Sequence, residues 1–291
     1  DRVLLNFFSD DSAGSYWTMT DFIRTDFLLI LFLIFSIALL CFGRTKGVNT
    51  LISLGLTCVS VFNVLIPAIL SGKNIYFWSI FVCAYMTLMT LTIVNGLNKK
   101  CLCSTLGCIA GSMTAGLITI VSDVFLKLTG VINEEAVYLK YILGDREIDL
   151  KAIIFASILI GAVGAIMDVS TSISSSLYEI YQKIPNCTVS DLMASGLTIG
   201  RDIMGTMANT LMLAYIGGSL SLTVLLIAYS SSVLSLFNRE MIVVEVLQAL
   251  AGSFAILLTI PLTSLIAGVL YTGKIKFKME GLKIPPKEKI I

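Results

Sequence analysis

Residues 161–218 read GAVGAIMDVSTSISSSLYEIYQKIPNCTVSDLMASGLTIGRDIMGTMANTLMLAYIGG. The segment has two mainly apolar stretches joined by a short polar connection. Each stretch is about as long as the ~20 residues that a helix needs to cross a bilayer. Each also carries an acidic side chain, Asp168 in the first and Asp202 in the second. A charge inside a membrane helix is costly unless it is paired or hydrated, so the segment predicts two adjacent membrane helices that carry polar chemistry.

The composition of the whole chain agrees with a membrane protein. Of its 291 residues, 56% are hydrophobic and 13% are charged, whereas a soluble domain carries about 25% charged residues. The mean hydropathy is +0.92. The chain has no histidine, which excludes Ser-His-Asp and Cys-His catalysis and zinc ligation by histidine. A net charge of +1 leaves no large basic surface, so we expect membrane lipid as a partner and no nucleic acid.

The seven cysteines include a cluster at Cys101, Cys103 and Cys108. The cluster has no second group of ligands and no histidine beside it, so it does not resemble a metal site. We therefore expect small, buried, unpaired thiols, and neither a metal nor a cofactor.

Hydropathy predicts an all-α fold, a polytopic membrane helix bundle with seven spanning helices. Their approximate bounds are 22–42, 48–70, 75–97, 104–128, 150–177, 197–216 and 243–271. The chain is accordingly divided into three parts. These are an extracellular N-terminal segment (1–21), the transmembrane bundle (22–272) and a cytoplasmic basic tail (273–291).

The positions of lysine and arginine set the expected orientation. Basic residues follow the first and third helices, lie between the fifth and sixth, and fill the tail, which places these regions in the cytoplasm. The aspartate-rich N-terminus is then outside, and the number of crossings must be odd. The apolar segment 219–237 would add an eighth crossing, so we predict that it is a re-entrant or interfacial helix buried against protein.

Polar side chains recur at helical spacing on the fifth and sixth helices. The candidates for proton coupling or for a polar core are Asp168, Ser172, Arg201, Asp202, Thr206 and Asn209. We expect Asp168 to be buried and to face Asp202 or Asn209, where it exchanges a proton with water. The alternative is that the same residues form a static hydrogen-bonded core. Glu245, at the start of the last helix, is a weaker candidate that lines the mouth of a pathway.

Three features of residues 161–218 carry a resemblance to a known family. They are GAIMDV with the Ser/Thr-rich turn after it, the short connection, and GLTIGRDIMGTMANTLMLAYIGG. Together they resemble the YibE/YibF-like family of bacterial multi-pass membrane proteins. The resemblance implies a bacterial plasma-membrane protein, and longer members are expected to carry an extracellular domain ahead of the bundle. It implies no particular activity.

A fainter resemblance has a mechanistic content. The paired fifth and sixth helices are similar to the central helices of SecD/SecF and of resistance–nodulation–division transporters. In those families an acidic residue at the position of Asp168 takes part in proton-driven transport or export. The resemblance implies the same role for Asp168 and, more loosely, a part in it for Asp202, Thr206 and Asn209. This chain departs from their pattern, since Met167 precedes Asp168 where the families have an acid or an asparagine.

The favoured interpretation is a non-enzymatic membrane protein, a proton-coupled secondary transporter or export factor that works through Asp168. Because one chain of seven helices has no clear internal repeat, a homo-oligomer or a paralogous membrane partner is expected to supply a second half. The alternative is a non-catalytic membrane scaffold or receptor subunit. An intramembrane aspartyl protease with Asp168 and Asp202 as its pair is disfavoured, because no G-x-G-D motif occurs.

Overall fold

The structure is a computed structural model that describes residues 3–10, 14–132, 134–142, 148–184, 187–229 and 232–273. These ranges are mainly helical. Contacts within the chain divide it into two units, residues 1–55 and 56–291. The predicted basic tail lies outside the described residues from position 274 onward.

The first unit begins with a two-stranded antiparallel hairpin. Strand β1 (Val3–Asp10) pairs with strand β2 (Gly14–Phe22), with Val3 opposite Phe22. No strands were predicted in this segment. Helix α1 (Thr25–Gly43) follows, and none of its residues is buried. A long apolar helix without buried side chains is suited to contact with lipid tails.

The rest of the chain is built from ten further helices and one π-helical turn, counted over the described residues. They are α2 (Thr45–Ser60), the π turn (Val61–Leu65), α3 (Ile66–Leu70), α4 (Ile75–Asn95), α5 (Lys99–Leu126), α6 (Glu134–Ile142), α7 (Leu150–Lys183), α8 (Val189–Gly218), α9 (Leu220–Tyr229), α10 (Val233–Phe237) and α11 (Glu240–Tyr271).

Six helical stretches in the described ranges are long and apolar enough to cross a membrane. They are Thr25–Gly43, Thr45–Leu70, Ile75–Asn95, Lys99–Leu126, Leu150–Lys183 and Glu240–Tyr271. Helices α8 and α9 pass the same test as a pair bent by 58°, which raises the number to as many as seven. The predicted all-α polytopic bundle is therefore confirmed. Segment 219–237 is divided into α9 and α10, with residues 230–231 outside the description.

Helix α7 forms the centre of the second unit, where it packs against α4, α5, α8 and α11. Its core side chains Ile158, Ile166 and Ile173 are completely buried. Close approach of the helices depends on small residues, as is usual inside membranes. A Cβ at Gly111 would collide with the side chain of Thr259, and it would lie 2.8 Å from Ile166 Cγ2.

Buried hydroxyl groups hydrogen-bond three helices together at the end of the bundle where α11 terminates. Tyr271 is 1% exposed. Its hydroxyl lies 2.7 Å from Ser174 Oγ, and Ser174 in turn donates to the carbonyl oxygen of Lys100 at 2.9 Å. Helices α5, α7 and α11 are thus joined by side-chain hydrogen bonds at one level.

The opposite end of the bundle is held by Glu240, the first residue of α11. Its Oε1 accepts from the backbone amides of Thr129 and Gly130, both at 2.7 Å, and its Oε2 accepts from the Thr129 hydroxyl at 2.6 Å. Gly130 has a φ of +85°, and a Cβ there would lie 2.5 Å from the Cβ of Leu150. The turn after α5 therefore requires glycine and is attached directly to α11.

The two tryptophans of the chain lie in different units. Trp17 is on β2 and is 65% exposed. Trp78 is on α4, where the ammonium group of Lys73 lies 5.1 Å from the ring centroid and the ring of Phe81 meets it edge to face. The cation–π contact fixes the turn that precedes α4.

Candidate functional site

A row of small and polar residues remains exposed along α7. The row consists of Ser157, Gly161, Gly164, Asp168 and Ser172, at spacings of 4, 3, 4 and 4 residues, and is called the α7 polar face. These spacings place all five on one side of a helix with 3.6 residues per turn. No large apolar side chain of α7 is exposed, over a helix that the structure describes throughout.

The exposed sides of other spanning helices have a different composition. On α4, Phe77 and Phe81 are exposed, on α5 Leu117, and on α11 Phe254. Such side chains are compatible with lipid tails, whereas a carboxylate and hydroxyls are not. The α7 polar face is therefore not an ordinary lipid-facing surface.

Helix α8 carries a second exposed row. Arg201, Asp202, Gly205, Thr206 and Asn209 are all exposed and form the α8 polar face. The hydroxyl of Thr206 donates to the carbonyl oxygen of Ile203 on its own helix at 2.9 Å. The local fold follows from the start of α8. There, Thr188 and Asp191 form a reciprocal capping box that fixes where the helix begins.

Contacts between α7 and α8 set the level of Asp168. A Cβ at Gly161 would collide with the hydroxyl of Tyr215, and Leu177 Cδ1 lies 3.1 Å from the Cβ position of Gly196. These pairs fix an antiparallel register. A residue seven positions beyond Gly161 then lies near the level of position 208 on α8. Asp168 and Asn209 are accordingly at similar heights along the two helices.

The structure corrects one expectation about Asp168, which is exposed, not buried. The bundle helices that pack on α7 leave this side open. Among the described residues, Asp168 has no hydrogen-bond or ion-pair partner, and the same holds for Ser172, Arg201, Asp202 and Asn209. The six candidate residues thus share two neighbouring helices but are not joined to one another within one chain.

Two polar residues, Tyr215 and Gln248, lie close to the α7 polar face near its Gly161 end. The hydroxyl of Tyr215 lies over Gly161, and the Cβ position of Gly161 is 3.6 Å from Gln248 Nε2. Glu245 is one turn before Gln248 on α11. Glu245 was predicted from the sequence as a weaker candidate, whereas Tyr215 and Gln248 were not predicted. The sequence does contain one indication of Gln248, because Glu245 and Gln248 are three residues apart and therefore share a face of an otherwise apolar helix.

The clustered cysteines occupy the interior of the bundle. Cys101, Cys103 and Cys108 are free thiols, and each is at most 4% exposed. The Cys103 thiol donates to the Thr263 carbonyl oxygen at 3.9 Å. Burial of these thiols agrees with the expectation of small, unpaired core residues.

The arrangement of long apolar helices defines the chain as a polytopic membrane protein with an all-α bundle. A family model described as YibE/F-like protein matches residues 31–273, which is most of the chain. The chain belongs to the YibE/F-like family, and the resemblance carried by residues 161–218 is confirmed. No curated protein and no solved structure matches the chain. The fainter resemblance to SecD/SecF and to resistance–nodulation–division transporters gains no support from these comparisons.

Proposed function

We propose that the protein is a proton-coupled secondary transporter or export factor of the bacterial plasma membrane, in which Asp168 carries the proton. The supporting observation is the α7 polar face. An unpartnered carboxylate lies near the middle of a 34-residue helix, among residues too small or too polar to face lipid.

The chemistry follows from the surroundings of this carboxylate. Lipid tails offer no hydrogen bonds, so an exposed carboxylate at this depth needs water or another protein surface. The hydroxyl of Ser172 and the amide of Asn209 are able to hold water near Asp168. A carboxyl group that meets water from alternate sides of the membrane takes up a proton on one side and releases it on the other.

We propose that a second copy of the chain covers the two polar faces. Arg201 and Asp202 are neighbours on α8, about 100° apart around the helix, and neither has an ion-pair partner among the described residues. A two-fold axis would pair Arg201 with Asp202 of the partner subunit. By the same symmetry, Asp202 would pair with Arg201 of the partner subunit. Positions Gly164 and Gly205 have no atom within 4 Å of a Cβ, so backbones can approach there.

The proposed orientation has the N-terminal segment (1–21) outside and the tail (273–291) in the cytoplasm. Its support is the positive-inside rule, since Lys99 and Lys100 are the first two residues of α5 and lysines fill the tail. The α7–α8 connection is then cytoplasmic, and the start of α11 lies toward the outside.

The decisive experiment is proton flux in proteoliposomes. Purified protein is reconstituted with a pH-sensitive dye inside the vesicles, a pH gradient is imposed, and valinomycin with potassium holds the membrane potential at zero. We expect Asp168→Asn to lower the protein-dependent flux at least tenfold. Glu179→Gln is the matched control, because Glu179 is also an exposed acid of α7 but lies near the end of the helix.

Equal flux through the native chain and Asp168→Asn, at equal protein content, would overturn the proposal. The alternative, a non-catalytic scaffold or receptor subunit, would then become the better description.

A further inference from the structure

A cavity of about 300 Å³ lies where α8 meets α9, against α10 and α11. Its lining is mainly apolar, with Tyr215, Ser219, Thr223 and Glu245 as the exceptions. Among the described lining residues, Glu245 is the one carboxyl group and Tyr215 the one other titratable group. Glu245 has no hydrogen-bond or ion-pair partner in the part of the chain that the structure describes.

The buried hydroxyl of Tyr215 meets no described residue in good hydrogen-bond geometry, although the side chain of Gln248 lies near enough to interact with it. Buried polar atoms without partners are uncommon, and a small molecule such as water is a frequent reason for them. The hydroxyls of Ser219 and Thr223 do not meet this need. They donate to the carbonyls of Tyr215 and Ser219 on their own helices, at 2.9 and 3.0 Å.

The backbone at the cavity is also unusual. Helix α8 ends at Gly218, and the chain turns by 58° into α9. An interrupted helix at membrane depth is tolerated where the freed backbone groups line a cavity, and such breaks often mark ion and substrate sites.

Polar side chains connect the cavity to the Gly161 end of the α7 polar face. Gln248 lies one turn beyond Glu245 on α11 and beside Tyr215 at Gly161. From Gly161, the α7 polar face continues two turns to Asp168, a rise of about 10 Å. Polar side chains therefore extend from the beginning of α11 to Gly161, and the last two turns to Asp168 present glycine, at Gly161 and Gly164, which leaves room for water.

We propose that Glu245 is a second proton-carrying group, which exchanges protons between the aqueous side near the start of α11 and Asp168. Protonated Glu245 gives its proton to water held at Tyr215 and Gln248, and a file of water molecules along Gly161 and Gly164 passes a proton on to the Asp168 carboxylate. The Glu245 carboxylate then takes a new proton from outside water. This inference rests on the proposed function, because it makes Glu245 the outer group of the same pathway.

The first test does not depend on transport. Dicyclohexylcarbodiimide adds to a protonated carboxyl group in apolar surroundings, and the adduct rearranges to a stable N-acylurea. After treatment of the membrane-embedded protein, peptide mass spectrometry should find the adduct on Glu245 and Asp168, with less adduct as the pH rises. An unmodified Glu245 in protein whose Asp168 is modified would overturn the inference.

The second test is proton flux through Glu245→Gln and Glu245→Asp in the same vesicles. We expect at least a tenfold loss for Glu245→Gln and partial recovery for Glu245→Asp, which keeps a carboxyl group. Tyr215→Phe should lower the proton flux a few-fold, and Glu179→Gln should leave the flux unchanged. Size-exclusion chromatography in detergent verifies folding of each variant.

The two proposals fail in distinguishable ways. If Asp168→Asn abolishes flux and Glu245→Gln leaves it unchanged, only the role of Glu245 is overturned. If Asp168→Asn has normal flux, the proposed function itself is overturned, and the role of Glu245 with it.

Discussion

Gly161 and Gly164 lie on the same face of α7, but we expect an added methyl group to have opposite effects on stability at the two positions. Alanine at Gly161 would collide with the Tyr215 hydroxyl, whereas alanine at Gly164 has open space around it. We expect Gly161→Ala to destabilise the bundle by about 1–3 kcal/mol through overpacking. Gly164→Ala should be neutral or stabilising by up to about 1 kcal/mol, because alanine favours helix. Denaturation by dodecyl sulfate in mixed micelles, followed by circular dichroism on monomeric protein, measures both. Equal effects would contradict the packing at Gly161.

The Tyr271 hydroxyl makes a second prediction at this scale. Tyr271→Phe removes the hydrogen bond to Ser174 inside the core, and we expect a loss of about 1 kcal/mol in unfolding free energy. Tyr181→Phe is the matched control. The ring centroids of Tyr181 and Tyr271 are 6.1 Å apart, but the Tyr181 hydroxyl makes no hydrogen bond to any described residue. The same denaturation assay tests both variants, and no difference between them would argue against the network.

The exposure of Asp168 was the residue-level property that sequence could not predict. Spacing placed Asp168 and Ser172 on one face correctly, because that depends only on helical geometry. Whether another helix covers the face depends on how α4, α5 and α11 surround α7, which no local pattern encodes. Tyr215 and Gln248 were missed for the same reason, since their proximity to Gly161 arises from three helices packing together.

At the scale of elements, Glu240 links the start of α11 to the turn after α5. Removal of its three accepted hydrogen bonds by Glu240→Ala should cost about 1–2 kcal/mol, because water replaces part of the loss at this partly exposed position. Glu240→Gln keeps one acceptor oxygen and should lose roughly half as much. Glu179→Ala, which removes an exposed acid without a described hydrogen bond, is the control. A fully stable Glu240→Ala variant would contradict the role of this contact.

The spanning helices were predicted well because each is a long apolar run. Predicted spans such as 75–97 and 150–177 correspond to α4 and α7, whose first residues are fixed by polar caps. Asn74 and Asp149 supply those caps and could be recognised from residue type. The separate helices α9 and α10 in segment 219–237 were not predicted, although Ser232, which caps the start of α10, is of a residue type typical of that position.

At the scale of the whole molecule, the proposed second copy predicts a charge-swap result. Arg201→Asp alone should weaken the oligomer, because two like charges would meet across the two-fold axis. The double variant Arg201→Asp/Asp202→Arg should restore it, because complementarity returns in both pairs. Cross-linking in native membranes and mass photometry in detergent measure the oligomer. A double variant as weak as the single one would exclude this pairing.

Orientation is tested with cysteines on the two sides of the membrane. In a variant that keeps only Cys187, a membrane-impermeant maleimide should label from the cytoplasmic side, whereas Lys73→Cys should label from outside. Burial raises the pKa of the Cys187 thiol, and the carboxylate of Asp191 raises it further. Because the thiolate is the reactive form, labelling of Cys187 should keep accelerating to higher pH than that of an ordinary exposed thiol. Labelling of both sites from one side would contradict the orientation.

The placement of the two tryptophans makes each unit optically distinguishable. Trp17 is mostly exposed on the hairpin, while Trp78 is in contact with a lysine and a phenylalanine on α4. Trp17→Phe leaves an emission spectrum that belongs to residues 56–291 alone, and Trp78→Phe leaves one for residues 1–55. Red-edge shifts and quenching by brominated lipids can then be assigned to one unit at a time, without any attached dye.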